Sequence, residues 1–413
     1  MTAQAGAGAA IGGAASSGTG HWLNAERVRV YSWIIVVIAA LLFAAWLGLS
    51  LPHMVDPAGK PFGYDFIGFW SAARLAVEGR PEAVFDWPVL KAVQHAAVAS
   101  RPSEFFPWSY PPTFLLTVAP LGWLPYAAAL PIFVLGTAAL WAALGRQVLP
   151  DRRAWIVAAA TPAALITLLI GQNAFLTAAL AGFALISLDR RPILAGVLIG
   201  LLAIKPHLAV LFPLALLAEG RWRTIAAAAA TVLVFAAASI AAFGWPTVTA
   251  FWHNLPVIAR ATEAGAAPLS KMPSALAFAL ALGAPHRAAW LLQSAAALSA
   301  AGAVWVTWRR RGAPFEAKAA ALMAASMLAT PYLFYYDLLW STLAIAWLAL
   351  LGMRTGFHRG EREILLFAWV APALMPPVAM LTGVQIGFPA MLLLLFVALR
   401  RAGGRPVMAS PAA

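Results

Sequence analysis

Apolar runs of roughly 17 to 25 residues recur along nearly the whole chain, the length a helix needs to cross a hydrocarbon core. Stretches such as 34–51 are apolar on every side rather than along one stripe, so lipid, not water, is the solvent they are built for. The pattern predicts an all-α fold, a polytopic transmembrane helical bundle of about twelve spans. The run 31–51 is too long for the apolar region of a cleaved signal peptide and follows Arg27 and Arg29, so it is expected to stay as the first span. Pro111, Pro112, Pro120 and Pro125 interrupt the segment 110–145. That segment is therefore expected to hold a juxtamembrane or re-entrant piece followed by one crossing, over 126–145. Residues 192–219 read as two short helices meeting outside the membrane or at mid-depth around Ile204-Lys205-Pro206-His207.

Between the runs, residues 52–110 and 244–285 are rich in Pro, Trp and His and are expected to form two large loops on the outer, periplasmic face. Residues 1–26 carry Ala, Gly, Ser and Thr without periodicity and are expected to form a disordered cytoplasmic tail, with 403–413 as a similar C-terminal tail. Residues 27–402 then make one integral membrane domain.

Composition strengthens this picture: 62% of the 413 residues are hydrophobic and only 10% are charged. The chain has no cysteine, which excludes disulfides, thiolate nucleophiles and Cys-ligated metals. A formal charge of +13 would suit nucleic acid, but 19 of the 28 basic residues fall in short clusters at the ends of apolar runs. That is the positive-inside pattern, so the clusters are read as topology signals and no nucleic-acid partner is expected.

Against so few charges, isolated polar groups stand out. Asp65 lies in PFGYDFIGFW, among Tyr64, Phe66, Phe69 and Trp70. It is either a solvated loop acid or a general base held at the bilayer surface. Aromatics there explain themselves as an interfacial belt, and a carboxylate among them does not. Desolvation would raise its pKa toward neutrality, where a base works best. Lys205 and His207 sit at the helix break, where a cation either pairs with a lipid phosphate or snorkels to the headgroups. Gly171-Gln172-Asn173 could hydrogen-bond a sugar or simply cap a turn. Tyr336 and Asp337 end a second aromatic turn that begins at Thr330, and that turn equally reads as an interfacial anchor. Arg260 and Lys271, with Trp245, Trp252 and His253, make the second loop cationic and aromatic, as anionic headgroups require. A lone acid suggests neither a carboxylate metal cage nor paired-carboxylate chemistry, and no metal or cofactor is expected. No phosphate-binding glycine loop, zinc-protease motif or nucleophilic serine elbow occurs.

The acid after the first span, Ser109-Tyr110-Pro111-Pro112, Gly171-Gln172-Asn173, Lys205-Pro206, Arg221-Trp222-Arg223 and Thr330-Pro331 leading to Tyr336-Asp337-Leu338 together resemble the family 87 glycosyltransferases. That family belongs to the C-type superfamily, whose architecture has a long first periplasmic loop. The resemblance implies transfer of a hexose, typically mannose, from a polyprenyl-phosphate donor to a lipid or envelope glycan acceptor at the periplasmic face of the cell inner membrane. It also implies that Asp65 is the base; from the residues themselves, Lys205, His207, Arg260 and Lys271 are expected to meet the donor phosphate, and Tyr64, Trp70, Tyr110, Gln172, Asn173, Tyr336 and Asp337 to line the sugar and acceptor. Thr330 departs from the Ser frequent there. A displacement by the acceptor would invert the anomeric carbon.

A transporter or lipid flippase is the competing class, because it too carries polar groups at helix breaks. It predicts matching broken helices in two halves, a symmetry this sequence lacks. A catalytically silent scaffold for envelope assembly is the third reading, and the intact Asp65 argues against it.

Overall fold

The computed structural model describes residues 21–50, 54–56, 59–98, 104–149, 155–261, 265 and 268–404. Most of both expected tails, together with Arg152, Arg153 and Arg405 of the basic clusters, lies outside the described residues. Among the described residues the chain is helical, and its one β contact is an isolated bridge between Val55 and Pro61.

Among the described residues five helices are long and apolar enough to cross a membrane: α1 (Ala25–Ser50), α5 (Tyr126–Val148), α12 (Trp222–Ala261), α14 (His286–Arg309) and α17 (Glu361–Thr382). With them come shorter apolar helices: α2 (Phe66–Val77), α8 (Ala174–Ser187), α9 (Pro192–Leu201) and α16 (Leu339–Thr355). Helices α1 and α5 stand where the sequence puts the first span and the crossing after the proline-rich stretch. Pro125 caps α5 with no N–H to satisfy, and α5 runs through Pro131 without a break.

Two stretches differ from the sequence reading. The first expected loop is largely helical, with α2, a 3-10 turn over Pro81–Phe85 and α3 (Trp87–Ala97), which Asp86 caps by accepting from the Val89 amide at 3.3 Å. The second begins at Gly244 (φ 76°, ψ 164°), a non-helical residue that breaks α12 in two; the chain resumes as helix with Pro246 in the first turn and runs past Pro256 to Ala261. Proline in a first helical turn has no amide to satisfy, and a helix can bend around one in its interior.

Residues 192–219 fold as expected. Helix α9 ends in a 3-10 turn over Leu202–Ile204, and the chain restarts at Pro206 as α10 (Pro206–Ala209) and α11 (Phe212–Glu219). Helix α9 lies against α12 through a small-xxx-small pair, Gly196 and Gly200. A methyl at Gly196 would stand 2.5 Å from the Thr224 carbonyl oxygen, so only glycine permits that approach.

Buried side chains form two main clusters. The larger gathers α8, α9, α11, α14, α15 (Phe315–Ala329), α16, α17 and α18 (Gly387–Gly403), with α15 buried along almost its whole length behind small residues. The other is aromatic and gathers α2, α4 (Pro112–Val118) and the start of α5. Leu202 belongs to the first and Ile204 to the second, so the break before Lys205 lies on the seam between them.

Candidate active site

The seam is where the polar residues collect. Asp65 sits just ahead of α2, on a loop held from two sides. Its backbone amide donates to the Ile170 carbonyl at 3.0 Å, and the Tyr126 hydroxyl donates to the carbonyls of Phe62 and Gly63. The Ile170 bond requires the end of α7 (Pro162–Ile170) to come very close. Gly171 makes this possible: its φ is +73°, and a methyl there would lie 2.6 Å from Phe66 Cβ. The turn reading of Gly171-Gln172-Asn173 is therefore part of the answer, since Asn173 opens α8.

Gln172 is also more than a turn residue. Its Nε2 donates to Asp65 Oδ2 at 2.8 Å, while its Oε1 accepts from the Asn173 amide at 3.0 Å and from the Tyr110 hydroxyl at 3.4 Å. Two donors at the oxygen fix which end of the amide faces Asp65. The Asp65 side chain makes no capping bond to α2 and keeps partial access to solvent. Burial pushes its carboxyl up to about 6, against the downward pull of the Gln172 bond and of the Lys271 and Lys205 charges, while Asp337 adds to the rise.

Lys205 caps α10 beside this acid. Its ammonium donates to Asp337 Oδ1 at 2.6 Å, with side-chain exposures of 4% and 0%. The Phe334 amide donates to the other Asp337 oxygen at 3.3 Å. The ammonium also lies 5.0 Å from the Tyr336 ring centre and 5.9 Å from that of Tyr110. Lys205 is thus neither snorkelling nor unpaired, because a carboxylate from the turn ahead of α16 neutralises it.

Lys271 ends a 3-10 turn whose carbonyl accepts from the Tyr335 amide at 2.8 Å, and its ammonium stands 5.7 Å from the Tyr335 ring centre. The Tyr335 hydroxyl is 3.4 Å from that of Tyr64, whose ring lies under Lys60 at 5.4 Å. Tyr335 and Lys60 were not singled out in the sequence. The aromatic turn that contains Tyr335 was the available signal, whereas nothing local marks Lys60.

The structure thus brings together Asp65, Gln172, Tyr110, Lys205, Asp337 and Tyr336, with Tyr64 and Lys271 at the margin. Asn173 is fully buried with neither end of its amide bonded, and the His207 ring nitrogen Nε2 is likewise unpartnered. Trp70 turns the other way, donating to the Leu124 carbonyl at 2.9 Å from within the aromatic cluster. Arg260 is exposed on the last turn of α12 and, among the described residues, bonds back to the Pro256 carbonyl at 3.2 Å. Among the described residues no three His, Asp or Glu side chains gather as a metal site would require.

The site is thus a partly accessible acid, oriented by an amide and set beside buried and half-buried cations among apolar helices. The model of glycosyltransferase family 87 matches residues 108–331, more than half of the chain, and the chain belongs to that family. The protein is therefore a membrane glycosyltransferase. No curated protein and no solved structure matches it.

Proposed function

We propose that the protein transfers a hexose, mannose by the family resemblance, from a polyprenyl-phosphate donor to a lipid or envelope glycan acceptor at the periplasmic face of the inner membrane. The observation that carries this reading is the Gln172–Asp65 bond at 2.8 Å on a carboxyl pushed up to about 6. Asp65 takes the proton of the acceptor hydroxyl as that oxygen attacks the anomeric carbon. The bond from that carbon to the phosphate oxygen breaks, and its electron pair leaves with the lipid phosphate. Attack opposite the leaving group inverts the anomeric centre. A sugar phosphate already carries a good leaving group, so the site needs a base and cations rather than a protein nucleophile.

The cations have unequal parts in this reading. Lys205 is neutralised by Asp337 at 2.6 Å and holds the floor of the site, while half-buried Lys271 is the cation positioned to receive the departing phosphate. Tyr64, Tyr110 and Tyr336 offer ring faces and hydroxyls to the sugar, and the unbonded Asn173 amide offers a donor and an acceptor.

The test is purified protein in liposomes with polyprenyl-phosphate mannose and a membrane lipid extract as acceptor source. The reading expects one new glycosylated species, whose anomeric configuration by NMR is opposite to that of the donor. Retained configuration would overturn the mechanism. Movement of the lipid-linked sugar across the bilayer without any transfer would return the protein to the transporter class.

A further inference from the structure

A cavity of about 790 Å³ lies between α1, α16 and α17, with Leu149, Val157 and Ala158 closing one side, and none of the residues gathered around Asp65 lines it. The first end of α1 is pinned to the start of α17: the Arg362 guanidinium donates to the Leu23 carbonyl at 3.1 Å, and His21 pairs with Glu363 at 2.9 Å. Helix α1 also packs on the helix Trp155–Ala159 and, near its far end, through Trp46 on Phe62, and the space behind it is walled by Ile35, Ile345, Leu350 and Met353.

Two observations give the cavity a ligand chemistry. Its lining carries Arg29 and Arg362 against one acid, Glu26, a net charge of one positive. The indole N–H of Trp369, on the same lining and two turns along α17 from Arg362, is buried and without a partner among the described residues. Thr342 lies deeper, about 17 Å along α16 from Met353. Water does not suit so apolar a space, and a plain hydrocarbon would leave the arginines and the indole unanswered. A molecule with one negative charge, a polar group below it and long apolar chains answers both.

We propose that this cavity binds a two-chain anionic glycerophospholipid. Its phosphodiester lies between Arg29 and Arg362, an ester carbonyl accepts from the Trp369 indole, and its chains follow the apolar wall past Thr342. The lipid belongs to the leaflet opposite the Asp65 site. Arg29 stands in the first turns of α1 and Asp65 follows its last, and a helix of 26 residues rises about 39 Å. The lipid fastens α1 to α16, the helix that Asp337 precedes, and it is no reactant.

The experiment uses the full chain in nanodiscs of phosphatidylcholine with a minor share of phosphatidylglycerol, followed by release into detergent and native mass spectrometry. The wild type should retain one phosphatidylglycerol per chain, and its thermal unfolding midpoint should rise with phosphatidylglycerol content. Arg29→Gln should lower the preference for phosphatidylglycerol over phosphatidylcholine roughly fivefold, as loss of one arginine at a headgroup does. Ala346→Trp, which fills the lining, should abolish retention of both lipids while the protein stays inserted and monodisperse. Equal retention of the two lipids by the wild type, or wild-type retention by both variants, would overturn the proposal. Displacement of the phosphatidylglycerol by equimolar polyprenyl phosphate would also overturn it, because the cavity would then belong to the donor.

Discussion

Gln172 and Asp65 are 107 positions apart in sequence and 2.8 Å apart in the fold, and the amide oxygen of Gln172 is committed to two other donors. The carboxylate is therefore oriented by a residue that cannot flip without losing both.

A pH dependence follows from that bond. Asp65 works as a base only when ionised, and burial sets its carboxyl at about 6, so turnover should rise with pH through that value and fall below it. The Gln172 bond pulls the carboxyl down. Gln172→Leu should thus move the acidic limb of the kcat/KM profile to higher pH and lower its plateau by roughly 10- to 100-fold, the worth of a hydrogen bond to a charge. A limb that stays in place would show that Gln172 only fills space.

The Lys205–Asp337 pair makes the two residues interdependent. With both side chains buried, Lys205→Met leaves an uncompensated carboxylate and should cost about 3–5 kcal/mol. The double variant Lys205→Met/Asp337→Leu should recover most of that loss in thermal unfolding. If it recovers activity as well, Lys205 is structural; if stability returns without activity, its charge serves the donor.

Lys271 carries no ion pair among the described residues and should bear on the donor. Lys271→Gln should raise the donor KM several-fold, with the fold intact. Because its charge pulls Asp65 down, the acidic limb should also shift upward. An unchanged donor KM would move the phosphate contact elsewhere.

Much of this was legible in the sequence. Helix α1, helix α5 after Pro125 and the break at Pro206 rest on local signals, run length and proline, and Asp65 stands out locally as an acid among aromatics. What sequence could not give is distance across the bundle. The partner of Lys205 lies 132 positions away, and no periodicity links them. The helices within 66–97 are only 12 and 11 residues long, and so read as loop; the segment after Gly244 is helical although it carries Pro246 in its first turn and Pro256 inside it. Trp70 was grouped with Asp65 as a neighbour in sequence, but a helix turns such neighbours to different sides.

Gly171 tests how closely the site depends on backbone shape. Gly171→Ala combines an unfavourable positive φ with a 2.6 Å approach to Phe66 Cβ, so it should cost about 1–3 kcal/mol. The strain falls next to Asp65, so turnover should drop more than stability alone explains. Equal losses in folded fraction and in activity would remove that link.

The most direct measurement is the single-turnover rate of sugar transfer by Asp65→Asn in liposomes, with donor binding measured on the same sample. Asn keeps the shape and can still bond Gln172, but it cannot take the proton. The rate should fall roughly 10²- to 10⁴-fold with donor affinity little changed. Transfer by Asp65→Asn at the wild-type rate would contradict the assignment of the base and, with it, the account of how this site works.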